Sequence, residues 1–166
     1  MTRLKAISVT GVLALILCCI GAISPALHSQ GASATALTND GLKQMLTGMG
    51  YEPKALSKGF LIAINRDAWT VSIQLVISAN GEKIGMNANL GVVENPDAIT
   101  AAQWRGLLAA NEDIDPSSFY FSASDKKLYI HRVLDNHGLT PAFLREQIDN
   151  FYGNVKDTSK LWNFTK

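Results

Sequence analysis

Cysteine is scarce in this sequence, which has two among its 166 residues, Cys18 and Cys19. Both lie in residues 6–24, an uncharged and mostly apolar stretch close to the N-terminus. A basic start followed by an apolar middle and small residues is typical of a secretory signal. If this signal is removed near Ala26, the mature domain has no thiol. Disulfides and cysteine chemistry are then excluded from its stability and its function.

We divide the chain into three predicted segments: a signal peptide, residues 1–26; a flexible leader, residues 27–37; and one folded domain, residues 38–166. Small residues up to Ala34 also allow cleavage as late as that position. The expected location is the periplasm or the outside of a bacterial cell. The alternative is an uncleaved inner-membrane anchor over residues 6–23, since this apolar run is at the short limit for spanning a bilayer.

Charge of either sign is also sparse, at 17% of residues. The chain has 15 basic and 14 acidic residues, and the signal peptide removes Arg3 and Lys5 but no acid, which leaves a net charge of −1. No cluster of Lys and Arg occurs along the sequence. Because phosphate contacts depend on such clusters, we expect no nucleic-acid partner, and membrane contact only through an uncleaved signal segment.

The short motifs of the common enzyme classes are absent: G-x-S-x-G, H-E-x-x-H, G-x-x-x-x-G-K and G-x-G-x-x-G. Outside the leader, His131 and His137 have no thiol nearby and no helical spacing, although a two-histidine metal site with Asp135 stays open as an alternative. Asp135, His137 and a serine could also form a triad, but geometry alone defines one. We predict no catalytic residue, no metal and no cofactor, and we interpret residues 135–137 as a turn.

Regular apolar periodicity is what the sequence does have. Leu42, Met45, Leu46 and Met49 are spaced as one face of a helix, and Thr38 precedes them as a capping residue. Two further helix starts have the same kind of signal. One is the capping-box spacing of residues 100–103, and the other is the Thr-Pro pair at residues 140–141. The sequence therefore predicts three helices.

Between these helices the apolar period changes to two, which is typical of half-buried strands. Alternating segments cover residues 60–64, 69–77 and 84–92, and the Asn-Gly pair at residues 80–81 suits a tight turn between the last two. A second hairpin is predicted over residues 119–134. The expected fold is α+β, a five-stranded antiparallel sheet with helices packed on one face, in the order α-β-β-β-α-β-β-α.

Alternation along these strands sends a set of polar and aromatic side chains to the face away from the helices. The candidate binding residues on this face are Gln74, Asn87, Tyr120, Tyr129 and His131. Two interpretations stay open: a solvated sheet face, or a groove or dimer surface that receives a peptide or a small ligand. Arg132 interrupts the apolar face of its strand. We expect it to reach solvent at a strand end or to pair with an acid such as Asp135.

Residues 107–162 also carry a family resemblance. Its motifs are Leu107-Leu108 with Asn111, the strand sequence Leu-Tyr-Ile-x-Arg, Leu134-Asp135-Asn136, Gly138-x-Thr140 and the closing helix. With these the chain resembles the YbjN family, whose fold is like that of the type III secretion chaperones. The resemblance implies an α+β binding module, often dimeric, which in the chaperone branch masks an extended segment of a client protein. It implies no catalytic residue.

Three hypotheses for function follow, the last of them a structural envelope protein held by an uncleaved N-terminal helix. The first is a non-enzymatic, exported protein-binding or regulatory module of the bacterial envelope, with a protein or peptide partner and a homodimeric state. The export signal and the near-neutral charge both differ from the secretion chaperones, which favours an envelope role. The second is a small-ligand-binding or hydrolytic α+β domain that uses the open sheet face.

Overall fold

The computed structural model describes residues 35–165. Its elements are α1 (Asn39–Gly48), β1 (Lys54–Ala55), β2 (Phe60–Arg66), β3 (Trp69–Ile77), β4 (Lys83–Val92), α2 (Ala101–Asp113), β5 (Ser117–Ser122), β6 (Lys127–Asp135) and α3 (Pro141–Asp157), with single 3-10 turns at Pro96–Ala98 and Ser159–Leu161. The predicted signal peptide and the leader up to residue 34 lie outside the described residues. Within residues 35–165, no helix is long and apolar enough to cross a membrane.

The predicted α+β class and its three main helices are confirmed, but the strand count is wrong. The antiparallel sheet has six strands, in the spatial order β1-β2-β3-β4-β6-β5. The missed strand is β1, in which Lys54 pairs with Leu61 and Ala55 with Phe60. Two exposed residues are too short to produce an alternating pattern, so the sequence gives no sign of them. The corrected order is α-β-β-β-β-α-β-β-α.

All three helices cover one face of this sheet. Buried side chains of both layers belong to one hydrophobic core, whose fully buried members include Leu42, Leu46, Ile62, Ile73, Leu75, Ile84, Met86, Ile130, Leu144, Ile148 and Phe151. Each aliphatic side chain buried in this way stabilises the fold by roughly 1.5–3 kcal/mol. Because burial alternates along the strands, every second residue of β3, β4 and β6 lies on the opposite face.

The predicted helix starts are confirmed. The hydroxyl of Thr38 accepts a hydrogen bond from the backbone of Gly41, and that of Thr140 accepts one from Phe143. Thr100 and Gln103 form a reciprocal capping box. Each such contact satisfies a backbone N–H that the first turn of a helix cannot pair. Short-range chemistry therefore sets where these helices begin.

Asn136 joins the beginning of the domain to its C-terminal half. Its side chain is fully buried and donates to the carbonyl oxygens of Leu37, at 2.9 Å, and Gly81, at 2.7 Å. Its Oδ1 accepts from the backbone N–H of Leu37. Strand β6 extends through Asp135, and the chain bends just after it at His137 and Gly138, so the predicted turn begins one residue later than residue 135. The described part of the domain includes Leu37, the last residue of the predicted leader. The joint holds three segments that are distant in sequence.

Candidate functional site

The face of the sheet that points away from the helices brings together all five predicted binding residues. Gln74 on β3 pairs directly with Asn87 on β4, which pairs directly with His131 on β6. Tyr120 on β5 pairs with Tyr129 on β6. We call these five residues, with Ser72 and Ser118, the open sheet face. The sequence pattern placed them on one surface correctly because side chains alternate strictly along each strand.

Aromatic rings occupy one end of the open sheet face. Tyr120 and Tyr129 stack with ring centroids 5.1 Å apart, and His131 meets Tyr120 edge-on at 5.8 Å. The hydroxyl of Tyr129 donates to Asp125 at 2.7 Å. Burial and this hydrogen bond to a carboxylate raise the pKa of Tyr129 to about 12. Burial also raises the pKa of Tyr120, so both rings are neutral at physiological pH.

The rest of the open sheet face carries amide, imidazole and hydroxyl groups. The amide nitrogen of Gln74 donates to the carbonyl oxygen of Lys58 at 3.0 Å. Nδ1 of His131 lies 3.5 Å from the hydroxyl of Ser118. Within residues 35–165, the side-chain amide of Asn87 has no hydrogen-bond partner. The face therefore offers neutral donors and acceptors to a partner.

Most of the open sheet face lies outside the cavities of the described residues. Tyr120 lines the cavity beside α2 and Ser72 lines two others, whereas Gln74, Asn87, Tyr129 and His131 line none of these three. Sites for small molecules are concave and enclose roughly 300–1,000 Å³. The predicted residues are neighbours on a flat surface, which suits a macromolecular partner better than a small ligand.

An apolar groove adjoins the open sheet face at Tyr120. It has a volume of about 240 Å³ and is lined by Trp104, Leu107, Leu108, Phe119, Tyr120, Phe121 and Leu128. We call it the β5–α2 groove. Leu108 is 66% exposed and Tyr120 is 41% exposed. Sequence reasoning missed the groove, although Leu107 and Leu108 are consecutive on a helix, so both cannot face the core.

The outer edge of β5 forms one wall of this groove. The backbone N–H of Ser117 donates to the carbonyl oxygen of Ile114 at 2.8 Å, and that of Phe119 donates to Oδ1 of Asn111 at 2.7 Å. Since outward-facing groups recur every second residue, the N–H of Phe121 also points outward, and it has no acceptor among the described residues. Two of these three N–H groups are therefore satisfied, one by Asn111 of α2 and one by Ile114 just after it, and the third, that of Phe121, is open.

The histidines form two separate contacts and no triad within residues 35–165. Nδ1 of His137 lies 3.0 Å from Oδ1 of Asp135. The hydroxyl near His131 belongs to Ser118, and His131 has no carboxylate partner there. Hydrogen bonds from the backbone and ring of His137, and from Lys83, hold the pKa of Asp135 well below its usual range. No group of three or more potential metal ligands occurs in this part of the chain.

Arg132 differs from its prediction. It is 3% exposed and does not bind Asp135, which pairs with Lys83 and His137 instead. Its Nε donates to the hydroxyl of Ser117 at 2.9 Å, and its Nη1 donates to Oε1 of Gln147 at 2.8 Å. The side chain lies on the core face of β6 and is almost fully buried.

Comparison with known proteins identifies the fold. The sequence matches no known protein family, and no curated protein matches it. Several solved structures do match the fold of this chain. YbjN from E. coli, a proposed transcription regulator, superimposes with a TM-score of 0.58 at 17% identity, covering 78% of this chain and 92% of that chain. The domain has a YbjN-like fold.

Two solved complexes share this YbjN-like fold. The ExsC–ExsE complex matches with a TM-score of 0.54 at 17% identity, covering 75% of this chain and 92% of that chain. The HopA1–SchA chaperone–effector complex matches with a TM-score of 0.51 at 10% identity, covering 72% and 90%. The predicted resemblance to YbjN and to secretion chaperones is confirmed as a similarity of fold.

Proposed function

We propose that this chain is a non-enzymatic, exported protein-binding module of the bacterial envelope. The observation that carries the proposal is the open N–H of Phe121 at the β5 edge, beside the β5–α2 groove. An unpaired strand edge offers hydrogen bonds to an extended peptide, and a neighbouring apolar groove selects its side chains. Leu108 is 66% exposed at this place, on a helix whose next-door Leu107 is buried.

The partner in this proposal is an extended protein segment. Its backbone pairs with the outward groups of Phe121, and one apolar side chain enters the groove against Leu108. Tyr120 belongs to both the groove and the open sheet face, so the same segment can reach the stacked tyrosines and the amides beyond them. This arrangement gives Gln74 and Asn87 a role in selecting polar side chains of the partner.

Two similar structures support a protein partner. ExsC–ExsE and HopA1–SchA were both solved as complexes between two proteins, and the second is a chaperone with its effector. The near-neutral charge of the chain fits a partner that is recognised by backbone pairing and apolar contact more than by charge. A regulatory role in the envelope is part of the same proposal.

Affinity capture with matched variants tests the proposal. The full-length chain and Leu108→Glu are used to capture proteins from an envelope extract, with Leu56→Glu as the control, since Leu56 is 42% exposed next to β1 at the other edge of the sheet. The affinity of the purified partner is then measured. We expect Leu108→Glu to weaken binding about tenfold or more, since a charge in an apolar groove removes a central contact.

An equal loss of affinity in Leu108→Glu and Leu56→Glu would contradict the proposed binding surface. Absence of any partner, together with no self-association at micromolar concentration, would contradict the protein-binding function itself. Unfolding curves of all three proteins serve as the control, because both leucines are exposed and their replacement should change stability by less than about 0.5 kcal/mol.

A homodimer is the second part of the proposal. Exposed apolar surface next to an open strand edge is as suitable for a second copy as for another protein. Sedimentation velocity of the full-length chain tests it, and we expect a dimer that Leu108→Glu dissociates and Leu56→Glu does not. A monomer at all accessible concentrations would remove the dimer from the proposal and leave the groove free for another protein.

Export is the third part. Mass spectrometry of the protein recovered from the periplasm or medium should give a mature N-terminus after Ala26 or, at the latest, after Ala34. Recovery of the intact chain in the membrane fraction would support the anchor over residues 6–23 instead.

A further inference from the structure

A polar cavity under the sheet edge is separate from the surfaces discussed above. It has a volume of about 520 Å³ and lies between α3 and the beginning of β5. Its lining includes three aspartates, Asp115, Asp149 and Asp157, together with Arg132, Asn150 and Asn154. The proposed partner surface uses none of these residues.

Arg132 is the unusual group in this cavity. It is 97% buried, and its two hydrogen bonds go to the neutral side chains of Ser117 and Gln147. Within residues 35–165 it has no ion pair, and its Nη2 has no acceptor. Since no carboxylate among the described residues is hydrogen-bonded to this guanidinium, part of the cost of burying its charge is left uncompensated. The cavity leaves room for an anionic group to reach it.

The rim of the same cavity is acidic. Asp149 is already paired with Arg66, whereas Asp115 and Asp157 have no hydrogen bond or ion pair among the described residues. Asp115 is near enough to Arg132 to interact with it electrostatically. A free anion would be repelled by these carboxylates, and a free cation would meet the guanidinium. A ligand that carries both charges can place its anionic group at the guanidinium and its cationic group at the carboxylates.

We propose that this cavity binds a small zwitterion, an α-amino acid, whose carboxylate accepts from Nη2 of Arg132 and whose ammonium group binds the Asp115 and Asp157 carboxylates. The amides of Asn150 and Asn154 lie on the same wall. Ser117 holds the guanidinium in place, because it accepts from Nε of Arg132 and from Nδ2 of Asn154 at 3.1 Å. The volume exceeds the lower limit of typical small-molecule sites, roughly 300 Å³.

Titration calorimetry of the full-length chain with glycine, alanine, leucine and glutamate tests this site. Acetate and methylammonium serve as probes that carry only one of the two charges. We expect saturable binding of at least one amino acid, with acetate and methylammonium about tenfold weaker or worse. Arg132→Met and Asp115→Asn should each weaken binding of the amino acid about tenfold. Leu56→Glu should leave this affinity unchanged.

Three results would overturn the site: no heat and no rise in unfolding temperature with any amino acid at millimolar concentration, equal binding by Arg132→Met, or acetate binding as tightly as the amino acid. Arg132→Met keeps a long unbranched side chain and leaves no hydrogen-bonded carboxylate unpaired, because the hydrogen-bond partners of Arg132 are the neutral side chains of Ser117 and Gln147. Should it fail to fold, Asp115→Asn and Asp157→Asn decide the question, since both aspartates are exposed. The partner-capture result does not depend on any of these variants.

Discussion

Asn136 and Asn87 are both asparagines near the same pair of strands, yet the structure uses them in opposite ways. The side chain of Asn136 is fully buried and makes three hydrogen bonds to the backbone of Leu37 and Gly81. The side chain of Asn87 lies on the open sheet face with no partner in residues 35–165. The amide of Asn136 stabilises the fold, whereas that of Asn87 is free for a partner.

Breaking the joint should have the largest effect on stability. Asn136→Ala removes three hydrogen bonds and leaves backbone groups of Leu37 and Gly81 unpaired, and we expect a loss of about 2–4 kcal/mol. Asn87→Ala is the matched variant and should change the free energy of unfolding by less than about 0.5 kcal/mol. Urea unfolding of both variants measures the difference. Similar values for the two would mean that the hydrogen bonds of Asn136 do not stabilise the fold.

Substitutions at the aromatic end of the open sheet face should change the free energy of unfolding by amounts between those of Asn136→Ala and Asn87→Ala. Tyr129 stacks on Tyr120 and donates to Asp125, whereas the hydroxyl of Tyr120 has no partner in the described residues. Tyr129→Phe should therefore cost about 1 kcal/mol, and Tyr120→Phe close to nothing. Chemical denaturation compares them. A larger loss from Tyr120→Phe would show that its hydroxyl has a structural role, which would remove it from the surface available to a partner.

Titration of the tyrosines offers a sharper test of the same contrast. With a pKa of about 12, Tyr129 should ionise two units above an ordinary tyrosine. Because its folded pKa is raised, stability should fall as the pH rises from about 10, where the unfolded chain loses this proton, toward 12. The pKa of Tyr129 is measured from the difference in ultraviolet absorbance between the wild type and Tyr129→Phe as the pH rises. Asp125→Asn should lower this pKa. An ionisation of Tyr129 near pH 10 would contradict both the burial of this ring and its contact with Asp125.

A substitution of Asp135, the residue before Asn136, should have a small effect on stability that depends on pH. Its folded pKa is depressed by His137 and Lys83, so its contribution is present above the unfolded pKa of about 3.9 and is lost as the pH falls below that value. Asp135→Asn should therefore reduce the acid sensitivity of the unfolding temperature between about pH 5 and pH 2. The carboxylate is exposed, which keeps the change small. An unaltered acid profile would show that these contacts do not persist in solution.

The sequence predicted those parts of the fold that depend on neighbouring residues. Helix caps at Thr38, Thr100 and Thr140 involve groups three residues apart, and the open sheet face follows from alternation along each strand. Strand β1 has two residues and therefore no period to detect. What sequence could predict here was local geometry.

Long-range contacts account for what was missed. The buried amide of Asn136 binds Leu37 and Gly81, which are 99 and 55 residues away. Arg132 was expected to reach solvent at a strand end or to pair with an acid such as Asp135. It binds Ser117 and Gln147 instead, each 15 residues away. The groove beside β5 depends on how α2 packs against a strand edge, which no local pattern encodes.

Site-specific photo-crosslinking is the most direct test of the proposed protein-binding surface. A photoreactive residue is placed at position 108 in the β5–α2 groove of the full-length chain, and at position 56 in a matched protein. Exposure to the envelope extract and light should attach one defined protein at position 108 and not at position 56. That protein should be the one whose affinity Leu108→Glu weakens. Equal labelling at both positions, or a partner captured from position 56 alone, would contradict the account.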